Sequence, residues 1–145
     1  MDLFEFGTYV VGIVGALSTG MVFVWRARRS ATEKLRADLA RRWTNEGDVS
    51  GGYSHFVDLD LSLHDGDLLG TVTTNRVDES LGAHVDVSWW KADLRVTRLR
   101  GRDLEPIGDV RLRLTGNRNR IDWKLRQEHD PGILPERTLL WPSAG

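Results

Sequence analysis

The chain has 145 residues, 28% of them charged, and a formal net charge of −1. That balance gives no support to nucleic-acid binding, which leans on a net basic footprint. There is no cysteine, which excludes a disulfide framework, thiolate metal sites and thiol catalysis.

From Phe6 to Trp25, twenty consecutive residues carry no charge. A helix of that length rises about 30 Å, the thickness of a bilayer's hydrocarbon core, and a helix of a soluble core is rarely apolar all round. A cleaved signal peptide wants a basic start and a small-residue cleavage site. Here Asp2 and Glu5 precede the run and "VWRARRS" closes it. The sequence therefore predicts a retained transmembrane anchor over residues 1–29. Between Arg26 and Arg42, seven Lys or Arg stand against Glu33 and Asp38, and no base precedes the run. The positive-inside rule then places the N-terminus outside an inner (plasma) membrane and the rest of the chain in the cytoplasm. Arg26, Arg28 and Arg29 are set to meet anionic headgroups. Gly12, Ala16 and Gly20 recur at four-residue spacing, a stripe on which a second helix can pack closely in lipid. The expected partners are the bilayer and, through this helix, further copies of the chain.

"SATEKLRADLARRW" follows, with capping-box spacing between Ser30 and Glu33 and Lys34, Asp38 and Arg42 at four-residue intervals. The sequence predicts a short basic helix over residues 30–42. Its stripe of Leu35, Leu39 and Trp43 suits either the membrane surface or the following domain, and the simpler reading is a helical spacer kept mainly as the topology signal.

Beyond Trp43 the hydrophobic period changes to two. "HFVDLDLSL" sets Val57, Leu59, Leu61 and Leu63 on one face, and "HDGD" marks a turn before "LLGTVTTN". "AHVDVSWW", "DLRVTRLR", "DVRLRLT" and "IDWKLRQ" repeat the alternation, the last two across "GNRNR", and "RTLLW" is a final strand. Seven or eight short strands in about 100 residues indicate an antiparallel barrel or sandwich. A barrel is preferred because it leaves no edges. The fold class is mainly β, with a domain over residues 43–145. Trp43, Trp89, Trp123 and Trp141 are expected to fill its interior, and Trp90 to face the other way.

Catalytic motifs are missing: "GDVSGGYS" lacks the lysine of a phosphate loop and no nucleophile elbow occurs. His84 and Asp86 share a strand face, with His55 a conceivable third ligand, but polar surface is the simpler account, and no metal or cofactor is expected. Charge is segregated along the chain. Ten acids and two bases lie between Glu46 and Asp93, then ten bases and four acids between Arg95 and Arg126. One reading is cross-strand neutralisation, with Asp58 and Asp60 opposite Lys124 or Arg126. The other is an anion site at Arg111, Arg113, Arg118 and Arg120 for a phosphate of a nucleotide or lipid headgroup.

The opening "RRWTNEGDVSGGYSHFVDLDLSLHDGDLLGTVTT" resembles the first strands of lipocalin-like barrels: a Trp, a glycine-rich stretch, an alternating strand, a turn, and a Gly early in the next strand. An N-terminal anchor leading to such a barrel resembles the transmembrane β-barrel effectors of bacterial cyclic-nucleotide antiphage (CBASS) systems, although this chain has one span where those typically have two. The resemblance implies recognition of a cyclic nucleotide by the barrel, and assembly that damages the membrane. The expected function is a non-catalytic, single-pass membrane protein whose cytosolic barrel senses a small ligand or binds a partner. The alternative is a scaffold whose packed barrel binds only another protein.

Overall fold

Alternation at period two places every second side chain on one sheet face, and turn residues every eight to twelve positions reverse the chain. In the computed structural model, which describes residues 3–46, 55–88 and 91–143 with side chains from Met21 onward, this pattern closes into a barrel. A helix, α1 (Leu3–Leu39), leads into β1 (Arg42–Thr44), β2 (Val57–His64), β3 (Asp67–Thr74), β4 (Leu81–Val87), β5 (Ala92–Arg100), β6 (Asp103–Thr115), β7 (Arg120–Glu128) and β8 (Arg137–Pro142). Each strand pairs antiparallel with the next, and β1 closes on β8. The sheet is an eight-stranded up-and-down barrel.

Local chemistry accounts for the reversals. Asp65 and Gly66 both take positive φ, 52° and 86°, as a two-residue hairpin turn between β2 and β3 requires. Gly70, in β3, has a different reason. A Cβ there would lie 1.7 Å from the Asp60 carbonyl oxygen, so only glycine lets β2 and β3 approach this closely. This is the glycine on which the lipocalin-like resemblance drew.

The interior is packed. Val57, Leu59 and Leu61 of β2, Val110 and Leu112 of β6, and Ile121 and Trp123 of β7 all point inward and are buried. An eight-stranded barrel is just wide enough for side chains to fill it. Ile133 and Leu134, from the loop between β7 and β8, are buried at the end away from α1. The Trp123 indole N–H donates to the Pro135 carbonyl at 2.9 Å and holds that loop.

Two inward assignments need correction. Leu63 is 46% exposed, because β1 runs beside only Asp58–Asp60 and leaves the upper end of β2 without a neighbour on that side. Trp141 is half-buried on the outer face, since Thr138 and Leu140 take the inward positions of β8. Trp43 and Trp123 do fill the core. Trp89 and Trp90 lie outside the described residues, as does the glycine-rich stretch 47–54.

The helix differs from the expected anchor plus separate short helix: α1 runs unbroken to Leu39. Ser30 lies within it and caps nothing. Glu33 instead accepts from the Arg29 Nε at 3.2 Å, one turn back. Asp38 pairs with Arg118 and Arg42 with Asp58, so neither expected helical ion pair involving Asp38 forms. Long-range partners outcompete them because the helix end is docked. Leu39 is buried, Leu35 packs against the core, and the Trp43 indole N–H donates to the Leu39 carbonyl at 3.1 Å. Of the two surfaces open to the Leu35–Leu39–Trp43 stripe, the barrel is the one it meets. Among the described residues no helix is long and apolar enough to cross a membrane. Of the apolar run, only Met21–Trp25 have described side chains, and the side chains of Gly12, Ala16 and Gly20 lie outside that set.

Asn45 completes the closure. Its side chain is buried and bridges three segments: Nδ2 donates to the His55 carbonyl at 2.6 Å and to Thr138 Oγ1 at 3.2 Å, while Oδ1 accepts from the Val57 N–H at 2.8 Å. Asn45→Ala should cost about 2–4 kcal/mol in chemical denaturation, because several buried partners are orphaned at once. Gly70→Ala should cost more than Gly82→Ala in the same assay. The Gly82 neighbour at 2.8 Å is the Thr97 hydroxyl, which can rotate away, whereas the Asp60 carbonyl cannot.

Candidate interaction surface

Apolar side chains pack the described part of the interior, and the charged groups stand on the outer wall and the rims. Outward positions on β2, β3 and β4 carry Asp58, Asp60, Asp67, His84 and Asp86, and those on β6, β7 and β8 carry Asp109, Arg111, Arg113, Asp122, Lys124, Arg126 and Arg137. In a closed ring of eight, β2 faces β6 across the barrel, β3 faces β7, and β4 faces β8. Charge that is segregated along the chain is thus segregated across the barrel.

The expected neutralisation of Asp58 and Asp60 by Lys124 or Arg126 does not occur. A meander brings early strands beside late ones only at β1 and β8, and Asp58 finds Arg42 on β1, accepting from its Nε at 3.0 and 3.1 Å. That hydrogen bond, and then the charge of Asp58, raise the Arg42 pKa above its ordinary value. Further ion pairs form where the acidic and basic halves meet, at β5 and β6. Arg111 reaches Asp93 at 3.3 Å and Arg95 reaches Asp109 at 4.0 Å. Within the basic half, Arg137 pairs with Asp122 at 3.4 Å.

Among the exposed charges that the described residues leave without an ion pair are Asp60, Asp67 and Asp86 on one wall and Arg113, Lys124 and Arg126 on the other. Like charges even stand directly opposite one another. Asp86 faces Asp93, Arg111 faces Lys124, and Lys124 faces Arg137. Such ladders are locally unfavourable, and the pairs Arg111–Asp93 and Arg137–Asp122 offset part of that repulsion.

The four arginines expected to form an anion site are dispersed. Arg118 sits in the β6–β7 turn and is taken by Asp38 on α1. Arg120 Nε donates to Thr115 Oγ1 at 3.1 Å, Arg111 is paired with Asp93, and only Arg113 stands open. Lys124 and Arg126, expected from the sequence as partners of Asp58 and Asp60 rather than as an anion site, flank a groove of about 350 Å³ whose lining also includes Glu128, Glu136 and Arg137. A second groove, of about 420 Å³, runs beside it along Asp93, Arg95, Asp109, Arg111 and Arg126. Both are mixed in sign, which suits a macromolecular surface better than a free anion. His84 and Asp86 line a third groove with Arg36, Asp67, Lys91 and Asp93. Among the described residues no group of three metal-ligating side chains converges.

At the rim away from α1, Arg98 is nearly buried between Glu79 at 2.6 Å and Asp130 at 3.4 Å, tying two loops to β5. His55 lies at the same rim. Burial lowers its pKa from 6.5, Arg76 adds to that effect, and a hydrogen bond to the Ile133 backbone only partly opposes it. The folded state therefore prefers neutral His55, and below pH 6.5 the unfolded chain gains the proton first. Stability should fall as pH drops through that value, and the drop between about pH 7.5 and pH 5.5 should shrink in His55→Gln. Thermal melts at the two pH values measure it. No protein family, curated protein or solved structure matches the chain.

Proposed function

We propose that this protein is a non-catalytic, single-pass membrane protein that holds a β-barrel in the cytoplasm as a binding module, self-associates through its helix, and recognises its partner with the outer wall. The observation that carries the anchored reading is the bare apolar helix end. Met21 is 73% and Phe23 75% exposed, and Val22, Val24 and Trp25 are exposed with them. Five consecutive helical residues cover every direction around the axis, and the barrel shields none of them. A water-facing helix places polar residues on at least one side. Arg29 lies 5.4 Å from the Trp25 ring centre, and Arg26, Arg28 and Arg29 follow the apolar run as a cytoplasmic basic flank does.

The packing of described side chains inside the barrel supports recognition on the outside rather than within. A membrane-disrupting antiphage effector is the concrete version that the architecture raises; there the wall or a rim would take the nucleotide. The partner-binding version is better supported, because the four arginines expected to hold a phosphate do not converge.

Sedimentation of the full chain with membranes, resistant to high salt and released by detergent, is the expected result; recovery in the supernatant overturns the anchor. Gly12→Leu with Gly20→Leu should lower helix association in membranes by about tenfold or more, since close backbone approach is then blocked. Association unchanged by both substitutions would remove the helix from the interface.

A further inference from the structure

We infer that the barrels pack side by side in a head-to-tail arrangement, the acidic wall of one copy (β2–β4) against the basic wall of the next (β6–β8). Three exposed acids without ion pairs among the described residues, Asp60, Asp67 and Asp86, stand on β2, β3 and β4, and three exposed bases without them, Arg113, Lys124 and Arg126, stand on β6 and β7 on the other side of the barrel. Two different surfaces on opposite sides of one molecule generate a heterologous contact, and repetition gives a ring or a row rather than a two-fold dimer. A two-fold pair would set like walls together, with Lys124 and its neighbours Arg111 and Arg137 facing their own copies.

A small anion is the weaker occupant, because Asp109, Asp122, Glu128 and Glu136 are interspersed among the bases. The same interspersion suits a protein wall of opposite net sign that is itself mixed. Exposed ion pairs contribute little individually and are screened beyond about 8 Å at physiological salt. The contact therefore needs the high effective concentration of copies held in one membrane, and in this respect it rests on the anchored reading. The unbroken α1, docked through Leu39 and Trp43, holds every barrel the same way up, so opposite walls meet at the same height.

The chain has no cysteine, so introduced cysteines report the contact directly. Thr71 on β3 and Gln127 on β7 are exposed on the two walls. In membranes containing both full-length Thr71→Cys and Gln127→Cys chains, disulfide-linked dimers should form between the two kinds of chain and not within either kind. The double variant should give a ladder of higher species. Lys124→Glu with Arg126→Glu should cut the mixed cross-link by about tenfold. Asp60→Lys with Asp67→Lys on the other copy should restore it, a rescue that misfolded barrels cannot produce. Cross-links within one kind of chain, or a yield indifferent to charge reversal, would overturn the proposal. Sedimentation reports the anchor separately: a chain that pellets yet links like with like loses the contact and keeps the anchor. Should the chain stay in the supernatant, the anchor falls, and the same cross-links at millimolar protein decide the contact.

Discussion

A strand of three residues closes this barrel. β1 spans only Arg42–Thr44 yet pairs on one side with β2 and on the other with β8, and so short a strand has few ladder hydrogen bonds of its own. Backbone bonds beside the strand, from the Leu61, Asn45 and Ser143 N–H groups to the Arg41, Val57 and Arg42 carbonyls, extend the closure, and side chains reinforce it. Trp43 is fully buried and its indole N–H bonds back to the Leu39 carbonyl at the helix end, which also accepts from the Arg41 N–H. Asn45, two residues on, continues the pairing with its amide where the strand stops, linking β2 and β8. Without these two residues the sheet would have open edges at β2 and β8, which stable proteins cover or break up.

The same closure decides where charge goes. Had late strands been inserted between early ones, as in a Greek key, acids and bases would have met across the ladder. A meander keeps chain order in space, so a charge gradient along the sequence becomes a gradient across the barrel. Pairing between the acidic and basic halves of the wall then gathers at the joins, at Arg42–Asp58 and at Arg111–Asp93 with Arg95–Asp109. The walls between the joins keep their excess.

How much of this was legible followed from the range of the interactions involved. The strand pattern, the Asp65–Gly66 turn and the eight-stranded barrel depend on local period and turn chemistry, which any short window of sequence carries. The inward tryptophans at 43 and 123 followed from the same period, while Trp141 failed because "RTLLW" offers two adjacent leucines and no unique parity. Ser30 and Glu33 have the spacing of a helix start, but propensity cannot show that a preceding helix runs straight through. Asn45 and Arg98 resemble ordinary loop and strand polar residues; their burial depends on which distant segments close over them. Ion-pair partners were the least legible part, since Asp38 reaches Arg118, eighty positions away, in preference to neighbours one turn along. Spacing identified the arginines around the β6–β7 hairpin but not which of them were already engaged.

Continuity between helix and barrel turns a packing detail into a functional constraint. A flexible linker would let each barrel tumble relative to its anchor, and any wall could then face any other. Here the helix enters the core without a break, and about 21 Å of helix separates Trp25 from Leu39 at 1.5 Å per residue. Rotation of the barrel about that axis would require unpacking Leu39 and Trp43 and releasing Asp38 from Arg118. The face presented by the helix and the wall presented by the barrel are therefore linked through one element. In the anchored reading, association at one end biases geometry at the other, and weak wall-to-wall attraction is enough to select among the few arrangements that remain.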